Sequence, residues 1–343
     1  MMFVRGSTAG FTLTLPIIGA ASAGPLTAVT IVTLLPVAIC FHIFIYVLND
    51  VVDLPVDRTE IRRRDFPLVS GAIRPRTALW IALAAIPAAL LYALAMDASR
   101  LALLLLLGSF LAGALYDLGG KRSAFPPLTD LVQGLAWACL LAYGAAATSA
   151  PTAGTALLAA FMILVIMLVN GLHGGLRDLA NDIRCGARTT AILFGARPGP
   201  DGAPAIPPAL LRYAGAIQTG MMITGVAATI QRGSDFAAHS ETGAAVAVVA
   251  LLLCATSSVL LIMTARRRFD PLPFRQLGAL QLLVTLVVPL VMVTPNLTPA
   301  AVVLASFCFV APLLSDQAST TAVRWLIAQL KVGRDLDATP RDR

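Results

Sequence analysis

Charged residues are scarce in this chain. Only 13% of its residues are Asp, Glu, Lys or Arg, whereas a soluble globular domain carries about 25%. So few charges cannot cover a water-facing surface, and 58% of the residues are hydrophobic. This composition argues against a soluble globular enzyme, a disordered protein and a nucleic-acid-binding domain. It favours a polytopic membrane protein, whose solvent is mostly lipid.

Cysteine is also rare and is dispersed along the chain. No CxxC pair occurs, so the sequence predicts neither a zinc site nor a disulfide framework. Most of the cysteines are expected to be small apolar residues of the interior. The five cysteines are Cys40, Cys139, Cys185, Cys254 and Cys308.

Ten apolar segments approach the length of about 20 residues that a membrane-spanning helix needs. The first, fourth and last are short, so nine or ten spans are expected. The first segment resembles a signal peptide, but the next long apolar run follows after only a few residues, and we expect the first segment to be retained. The segments cover residues 8–24, 27–48, 77–96, 101–116, 129–149, 154–173, 208–230, 243–264, 276–294 and 298–315.

The placement of basic residues predicts the topology. If the N-terminus is cytoplasmic and the spans alternate, only Arg100 and Arg232 of the 25 Lys and Arg residues lie outside. This satisfies the positive-inside rule and explains the net charge of +7 without a nucleic-acid partner. We therefore expect an inner (cytoplasmic) membrane protein with one membrane domain over residues 1–315 and a charged cytoplasmic tail over residues 316–343.

The first cluster of acidic residues lies at the inner end of the second segment. Asp50, Asp53 and Asp57 have the spacing i, i+3, i+7, which places them on one face of a helix. Three neighbouring carboxylates repel one another unless a cation neutralises them. Carboxylate oxygens suit Mg²⁺, which usually shares its coordination shell with substrate phosphates. The adjacent Asn49 could ligate the metal or orient a carboxylate.

A second cluster follows the sixth segment, where Asp178 and Asp182 have the spacing i, i+4. A solvated helix end can carry one or two such residues, but two clusters at corresponding places, with arginines beside both, favour a site. Carboxylates that hold Mg²⁺ beside cations that bind phosphate oxygens form a diphosphate clamp. A clamp that opens into an apolar bundle would suit a diphosphate with a hydrocarbon tail, such as an isoprenyl diphosphate.

Both motifs resemble those of the UbiA superfamily of intramembrane prenyltransferases. The family's first motif is NDxxDxxxD, followed by an Arg and a Pro-Leu-x-Ser-Gly segment. Its second is DxxxD, followed by a Gly, an Arg-Thr pair and an apolar run that ends in Leu-Gly. This chain has Asn49, Asp50, Asp53, Asp57, Arg62 and segment 67–71 in the first, and Asp178, Asp182, Gly186, Arg188, Thr189 and segment 191–195 in the second. Tyr116 and Lys121 are a weaker match to a Tyr and a Lys of the family.

The resemblance implies an all-α membrane protein in which about nine helices, or ten if the last segment is an extra helix, form a ring around a central cavity. It implies Mg²⁺ at the five aspartates and Asn49, which would make these aspartates the catalytic residues. It also implies an isoprenyl diphosphate bound by Arg62, Lys121 and Arg188. Candidates for residues that line the substrate cavity are Tyr116, Asn170 and His173.

The resemblance implies transfer of the prenyl group to an acceptor, which is aromatic in much of the family. Some members instead cyclise their substrate, so a terpene cyclase is the alternative. Ubiquinone-type members have an Arg directly before the Pro-Leu pair, where this chain has Phe66. This departure weakens the prediction of an acidic acceptor such as 4-hydroxybenzoate.

A transporter or a non-catalytic membrane subunit is a further alternative. Transporters place charged residues near the middle of the bilayer and often break their helices there. The acidic clusters of this chain lie instead at the inner ends of helices, and the mid-span positions carry almost no charge. This pattern disfavours transport.

Overall fold

The computed structural model describes residues 8–199, 204–235, 241–266 and 271–314, and these residues are almost entirely helical. Each of the ten predicted segments coincides with one long helix, which confirms the all-α prediction. The long helices are α1 (Ala9–Ala23), α2 (Ala28–Val52), α4 (Pro75–Ala95), α5 (Arg100–Gly119), α6 (Pro126–Thr148), α7 (Ala153–Leu168), α11 (Pro208–Asp235), α12 (Glu241–Arg266), α13 (Pro271–Val293) and α14 (Pro299–Leu314). The short ones are α3 (Leu54–Asp57), α8 (Gly175–Arg177), α9 (Leu179–Arg184) and α10 (Thr190–Leu193). The proposed tail, residues 316–343, lies outside the described residues.

Among the residues that the structure describes, six helical stretches are long and apolar enough to cross a membrane. They are Ala28–Val52, Pro75–Ala95, Arg100–Arg122, Pro126–Thr148, Ala153–Arg177 and Leu277–Asn296. Three shorter apolar helices, Ala9–Ala23, Val248–Met263 and Pro299–Pro312, accompany them. The number of helices that cross the membrane therefore stays a prediction.

Large apolar side chains cover the outside of the bundle. Val29 on α2 is 75% exposed and Trp80 on α4 is 71% exposed. A soluble protein would not expose such side chains over several helices, whereas hydrocarbon solvates them. Such an outer surface is typical of helices that face lipid.

Helices that follow one another in sequence also lie side by side. α5 packs on α6, α6 on α7, α7 on α11, α11 on α12 and α12 on α13, while α2 packs on α4 and α5. α1 contacts α2, α6 and α14. Long helices that are consecutive in sequence are thus neighbours in the bundle, the arrangement expected of a ring of helices.

Glycines allow α1 and α6 to approach closely. A Cβ atom added at Gly19 of α1 would lie 1.8 Å from the carbonyl oxygen of Leu141, and one at Gly144 of α6 would lie 2.0 Å from that of Pro16. Small residues at such contacts are typical of helix packing in membranes, where burial of apolar surface provides no driving force. α1 is therefore an integral part of the bundle.

Two local irregularities determine where the acidic motifs lie. α2 ends at Val52 and α3 begins at Leu54, so the helix that was predicted to carry all three aspartates of the first motif is interrupted at Asp53. The backbone N–H of Asp57 still donates to the carbonyl of Asp53 at 2.9 Å, which preserves a helical turn. After α7 the chain forms a π-helix, Val169–Gly174, before α8. π-Turns are rare and frequently occur at functional sites.

Candidate active site

The first motif places two of its carboxylates in the interior. Asp50, near the end of α2, is 6% exposed, and Asp57, the last residue of α3, is 4% exposed. Asp53 caps the C-terminus of α2. The side chain of Asn49 donates from Nδ2 to Oδ1 of Asp117 on α5 at 3.2 Å. Asn49 therefore connects the motif to α5.

The second motif is carried by the short helices α8 and α9. Asp178 lies between them, and Asp182 is 3% exposed in α9. The backbone N–H of Asp182 donates to the carbonyl of Asp178 at 2.9 Å, so both belong to one helical turn. Arg177 donates to the Asp178 carboxylate from Nε at 3.1 Å and from Nη2 at 2.8 Å.

Lys121 links the two motifs. It follows α5 in a short 3₁₀ turn, Gly120–Arg122. Its Nζ lies 3.2 Å from Oδ2 of Asp53 in the first motif and 3.4 Å from Oδ1 of Asp182 in the second. The structure thus brings one predicted cation into contact with both predicted acidic clusters.

Arg63 links the motifs a second time. Its Nη1 donates to Oδ2 of Asp57 at 2.6 Å, and its Nη2 lies 3.9 Å from Oδ2 of Asp178. The guanidinium carbon lies 5.8 Å from the ring centroid of Phe66, within the range of a cation–π contact. Sequence analysis assigned the neighbouring Arg62 to this site, but the side chain of Arg62 lies outside the described part of the structure, so its role stays a prediction.

A small pocket opens beside the first motif. Its walls combine the carboxylates of Asp50 and Asp57 with apolar side chains from the segment that follows Phe66. The lining residues are Asp50, Asp57, Phe66, Pro67, Leu68 and Val69. Phe66, the residue that departs from the family pattern, therefore forms part of the wall of a pocket next to two predicted metal ligands.

The two aspartates of the second motif differ in their electrostatic surroundings. Burial raises the pKa of Asp178, but hydrogen bonds from Arg177 and the charges of Arg177, Arg63 and Lys121 outweigh burial, so the pKa is lowered overall. Burial also raises the pKa of Asp182, and here Lys121 compensates only in part, so the pKa remains raised. Oδ1 of Asp182 is buried, and Nζ of Lys121 lies 3.4 Å from it. Lys121 therefore offsets the burial of Asp182 only in part.

The carboxylate oxygens of the two acidic motifs are chemically suited to bind Mg²⁺. Carboxylate oxygens are hard ligands, and Mg²⁺ is commonly held by one or two protein carboxylates together with waters and phosphate oxygens. Within the described residues no group of three Asp, Glu, His or Cys side chains is arranged to hold one ion. Lys121 and Arg63 lie between the motifs instead.

Polar contacts hold the loops of the two motifs together. Thr59, after α3, donates from its hydroxyl to Oδ1 of Asn181 on α9 at 3.0 Å, and Asn181 donates from Nδ2 to the carbonyl of Val56 at 3.4 Å. The backbone N–H of Arg188 donates to the carbonyl of Lys121 at 2.9 Å. These contacts fix the position of α9 beside α3 and of the Arg188 loop beside Lys121. The Arg188 side chain is exposed at the surface.

Three motif glycines have backbone angles that other residues rarely adopt. Gly71 has φ +80°, Gly186 has φ +67° and Gly195, the last residue of segment 191–195, has φ +92°. Gly71 closes the Pro-Leu-Val-Ser-Gly segment and Gly186 follows α9, so each of these two ends a loop that carries site residues. The requirement for a left-handed conformation explains why glycine stands at these points of both motifs.

The remaining predicted site residues make contacts between helices. Tyr116 is half-buried on α5. Within the π-helix, Asn170 donates to Gln133 of α6, and Nε2 of His173 lies 2.7 Å from Oε1 of Gln281 on α13. Their assignment to a substrate cavity stays a prediction.

Three residues of the site were not predicted from the sequence. Arg63 was not distinguished from the neighbouring arginines, and Asp117, the partner of Asn49, was overlooked. Asp130 on α6 is 6% exposed and accepts a hydrogen bond from Thr190, directly behind the Arg-Thr pair of the second motif. Asp130 carried a signal, because an acidic residue inside an apolar segment is a candidate functional residue by itself.

Comparison with known proteins identifies the family. The model of the UbiA prenyltransferase family matches residues 10–268. The chain belongs to this family. Curated relatives include 4-hydroxybenzoate octaprenyltransferase of Xanthomonas oryzae pv. oryzae, 33% identical over 150 residues, or 43% of this chain and 48% of the relative. The same enzyme of Azotobacter vinelandii is 30% identical over 150 residues, or 44% of this chain and 49% of the relative. The chain thus matches about half the length of these relatives.

Solved structures share the fold of this family member. A UbiA homologue from Aeropyrum pernix K1 has a TM-score of 0.60 at 20% identity, covering 84% of this chain and 96% of the homologue. A UbiA homologue from Archaeoglobus fulgidus, solved bound to GPP and Mg²⁺, has a TM-score of 0.61 at 16% identity, covering 85% and 99%. Family membership and the apolar helices together identify an integral membrane protein.

Proposed function

We propose that this protein is a Mg²⁺-dependent intramembrane prenyltransferase, which ionises an allylic isoprenyl diphosphate and transfers the prenyl group to an aromatic acceptor. One observation carries the proposal: two acidic motifs, far apart in sequence, meet at the ends of apolar helices, where Lys121 contacts both at 3.2 Å and 3.4 Å. This combination of carboxylates and a cation suits a metal-bound diphosphate. The Archaeoglobus fulgidus homologue of the same fold, solved with GPP and Mg²⁺, supports the proposal.

In the proposed mechanism the aspartates of both motifs hold Mg²⁺, which when bound neutralises charge on the leaving pyrophosphate. Arg62, Lys121 and Arg188 donate to phosphate oxygens and lower the energy of the negative charge that develops there. Loss of pyrophosphate leaves an allylic cation. The apolar interior of the bundle shields that cation from water, which would quench it. Both motifs face the cytoplasm in this proposal.

A terpene cyclase is the second candidate, and one observation favours it. The pocket beside Asp50 and Asp57 is lined by Phe66, Leu68 and Val69, and none of its described lining residues is basic. An acidic acceptor in that pocket would lie against two carboxylates, which repel its charge. In a cyclase a double bond of the same substrate, rather than an external acceptor, would attack the cation.

The test uses membranes that contain the full chain, with Mg²⁺ and geranyl, farnesyl or geranylgeranyl diphosphate, in the presence and absence of a panel of aromatic acceptors. Acceptor-dependent release of pyrophosphate supports the transferase, and hydrocarbon products formed without acceptor support the cyclase. Asp178→Asn should lower turnover about 10²-fold or more. Arg64→Gln is the matched control, because Arg64 is exposed and pairs with Asp65 at 3.7 Å, away from the motif aspartates. Absence of pyrophosphate release under every condition would contradict both candidates.

A further inference from the structure

Two basic residues each connect one carboxylate of the first motif with one of the second. Lys121 lies between Asp53 and Asp182, and Arg63 lies between Asp57 and Asp178. Asp53, Asp57, Asp178 and Asp182 therefore each have a protein cation as a partner. The side chains of Lys121 and Arg63 are only 31% and 18% exposed, so the contacts are partly shielded from water.

Carboxylates in such surroundings need counterions. Removing a charge from water costs several kcal/mol unless an opposite charge and hydrogen bonds compensate. Lys121 and Arg63 supply this compensation in the metal-free protein, and they occupy the space between the motifs. A magnesium ion that bound to the same carboxylates would have to displace them.

We propose that Lys121 and Arg63 are tethered counterions, which hold the two motifs together in the metal-free protein and transfer from the carboxylates to phosphate oxygens when metal and diphosphate bind together. The inference rests on the proposed function, because it assumes that the site binds a metal–diphosphate complex. The proposal couples metal binding to diphosphate binding. Metal alone competes with two protein cations for the carboxylates and binds weakly. When diphosphate is present, it accepts the displaced cations and makes metal binding favourable. The proposal also adds Arg63 to the diphosphate ligands.

The surroundings of Arg63 fit a cation that moves over a short distance. Its guanidinium lies against the Phe66 ring, which borders the pocket beside Asp50 and Asp57. An aromatic face attracts the guanidinium without a directional hydrogen bond, so the contact can persist while Arg63 exchanges one anionic partner for another. The next residue, Arg64, is 76% exposed in its side chain and pairs with Asp65, outside the site.

The experiment measures metal binding directly. The full chain is purified into lipid nanodiscs, washed with chelator and studied by equilibrium dialysis with Mn²⁺ as a probe for Mg²⁺, alone and with inorganic pyrophosphate. At equilibrium, the excess of Mn²⁺ on the protein side of the dialysis membrane measures the metal that the protein binds. We expect half-saturation of the wild-type protein at a Mn²⁺ concentration about tenfold or more higher without pyrophosphate than with it, the size of effect that one or two nearby charges can produce.

Variants separate the tethered-counterion proposal from a merely structural role. Lys121→Gln and Arg63→Gln should bind Mn²⁺ alone more tightly than the wild type, by several-fold to about tenfold, because a competing charge is gone. The same variants should lose most of the enhancement by pyrophosphate. Arg64→Gln, which leaves the charge pattern of the site intact, should match the wild type, and Lys121→Arg, which keeps the charge, should retain the enhancement by pyrophosphate that Lys121→Gln loses. A structural role predicts the opposite sign, namely weaker metal binding in both neutral variants.

Two outcomes would overturn the proposal. One is wild-type protein that binds Mn²⁺ equally well with and without pyrophosphate, a result that needs no variant to fold. The other is folded Lys121→Gln and Arg63→Gln variants that bind Mn²⁺ alone no more tightly than the wild type. Failure of the proposed function is recognised separately, because the wild type would then release no pyrophosphate from any allylic diphosphate, whatever its metal binding.

Discussion

The hydroxyl of Thr190 donates a hydrogen bond to the carboxylate of Asp130 inside the helical bundle. Thr190 begins α10, just after the Arg-Thr pair of the second motif, whereas Asp130 lies in the second turn of α6. One turn farther along α6, Gln133 accepts a hydrogen bond from Asn170 of the π-helix. α6 therefore holds both the beginning and the end of the segment that carries Asp178 and Asp182.

This anchoring leads to the first prediction. Asp130→Ala removes the acceptor for Thr190 in a buried place, so we expect a loss of stability of about 1–3 kcal/mol and a lower rate of pyrophosphate release. Asp130→Asn keeps an oxygen acceptor, so it should lose less stability and less of the rate of pyrophosphate release. Thermal unfolding in detergent and the release assay provide the measurements. Asp65→Ala is the control, because its side chain is 78% exposed. An Asp130→Ala variant as stable as that control would contradict the anchoring role.

The second prediction uses the two aspartates of the second motif. The pKa of Asp178 is lowered, so its ionised form stabilises the folded state at neutral pH, and this contribution is lost as the pH falls through the lowered pKa. The pKa of Asp182 is raised, so its ionised form is unfavourable in the metal-free fold, and this cost disappears as the pH falls through the raised pKa. The two residues therefore have opposite effects on stability.

Accordingly, in metal-free protein at pH 7, Asp178→Asn should lower the Tm and Asp182→Asn should raise it. The increase in Tm caused by Asp182→Asn should become smaller as the pH falls, because the wild-type Asp182 carboxyl then becomes neutral like the Asn side chain. Both variants should nevertheless lose turnover, by about 10²-fold or more. Scanning fluorimetry over a pH series measures the Tm. If the Tm rises in both variants or falls in both, the surroundings described for Asp178 and Asp182 are wrong.

The third prediction tests the loop after α9. Gly186 has φ +67° and a Cβ atom added there would meet no neighbour within 4 Å, so only the backbone conformation opposes a side chain. Gly186→Ala should therefore cost about 1–2 kcal/mol and shift Arg188 away from Lys121, which lowers turnover. Gly215→Ala on α11 is the matched control, since a Cβ atom there also meets no neighbour and φ is not positive. That variant should be at least as stable as the wild type. Equal Tm values for the two would contradict the explanation of the motif glycine.

The helices and the two acidic motifs were predictable because each has a local signature. About 20 apolar residues define a spanning helix, and the spacing of aspartates defines a face. The meeting of the motifs was inferred from their corresponding places in the chain. In the structure Lys121, a predicted diphosphate ligand, contacts one aspartate from each motif, and the roles of these residues stay predictions.

The choice among neighbouring arginines was not predictable. Arg63 points toward the aspartates and Arg64 toward solvent, and this outcome depends on the phase of a single 3₁₀ turn, Ile61–Arg63, which residue types alone do not specify. The π-helix was also missed, because one extra residue in a helical turn leaves the apolar pattern nearly unchanged. Arg63 meets Asp57 at the end of α3, and the π-helix packs on α6, which is distant from it in sequence.

The fourth prediction concerns the acceptor. Phe66 borders the pocket that also contains Asp50 and Asp57, so a carboxylate-bearing acceptor placed there would lie against two carboxylates, which repel its charge. Phe66→Arg restores the residue type found in ubiquinone-type members and should raise the ratio of turnover with an aromatic acid to that with the corresponding neutral phenol, by about tenfold, the size expected of one charge-assisted hydrogen bond. Phe66→Leu, which changes the shape but not the charge, should leave the ratio unchanged. Product analysis with paired acceptors measures it. If the arginine variant shows the wild-type ratio although it releases pyrophosphate normally, this pocket does not receive the acceptor, and the argument from Phe66 against an acidic acceptor is lost.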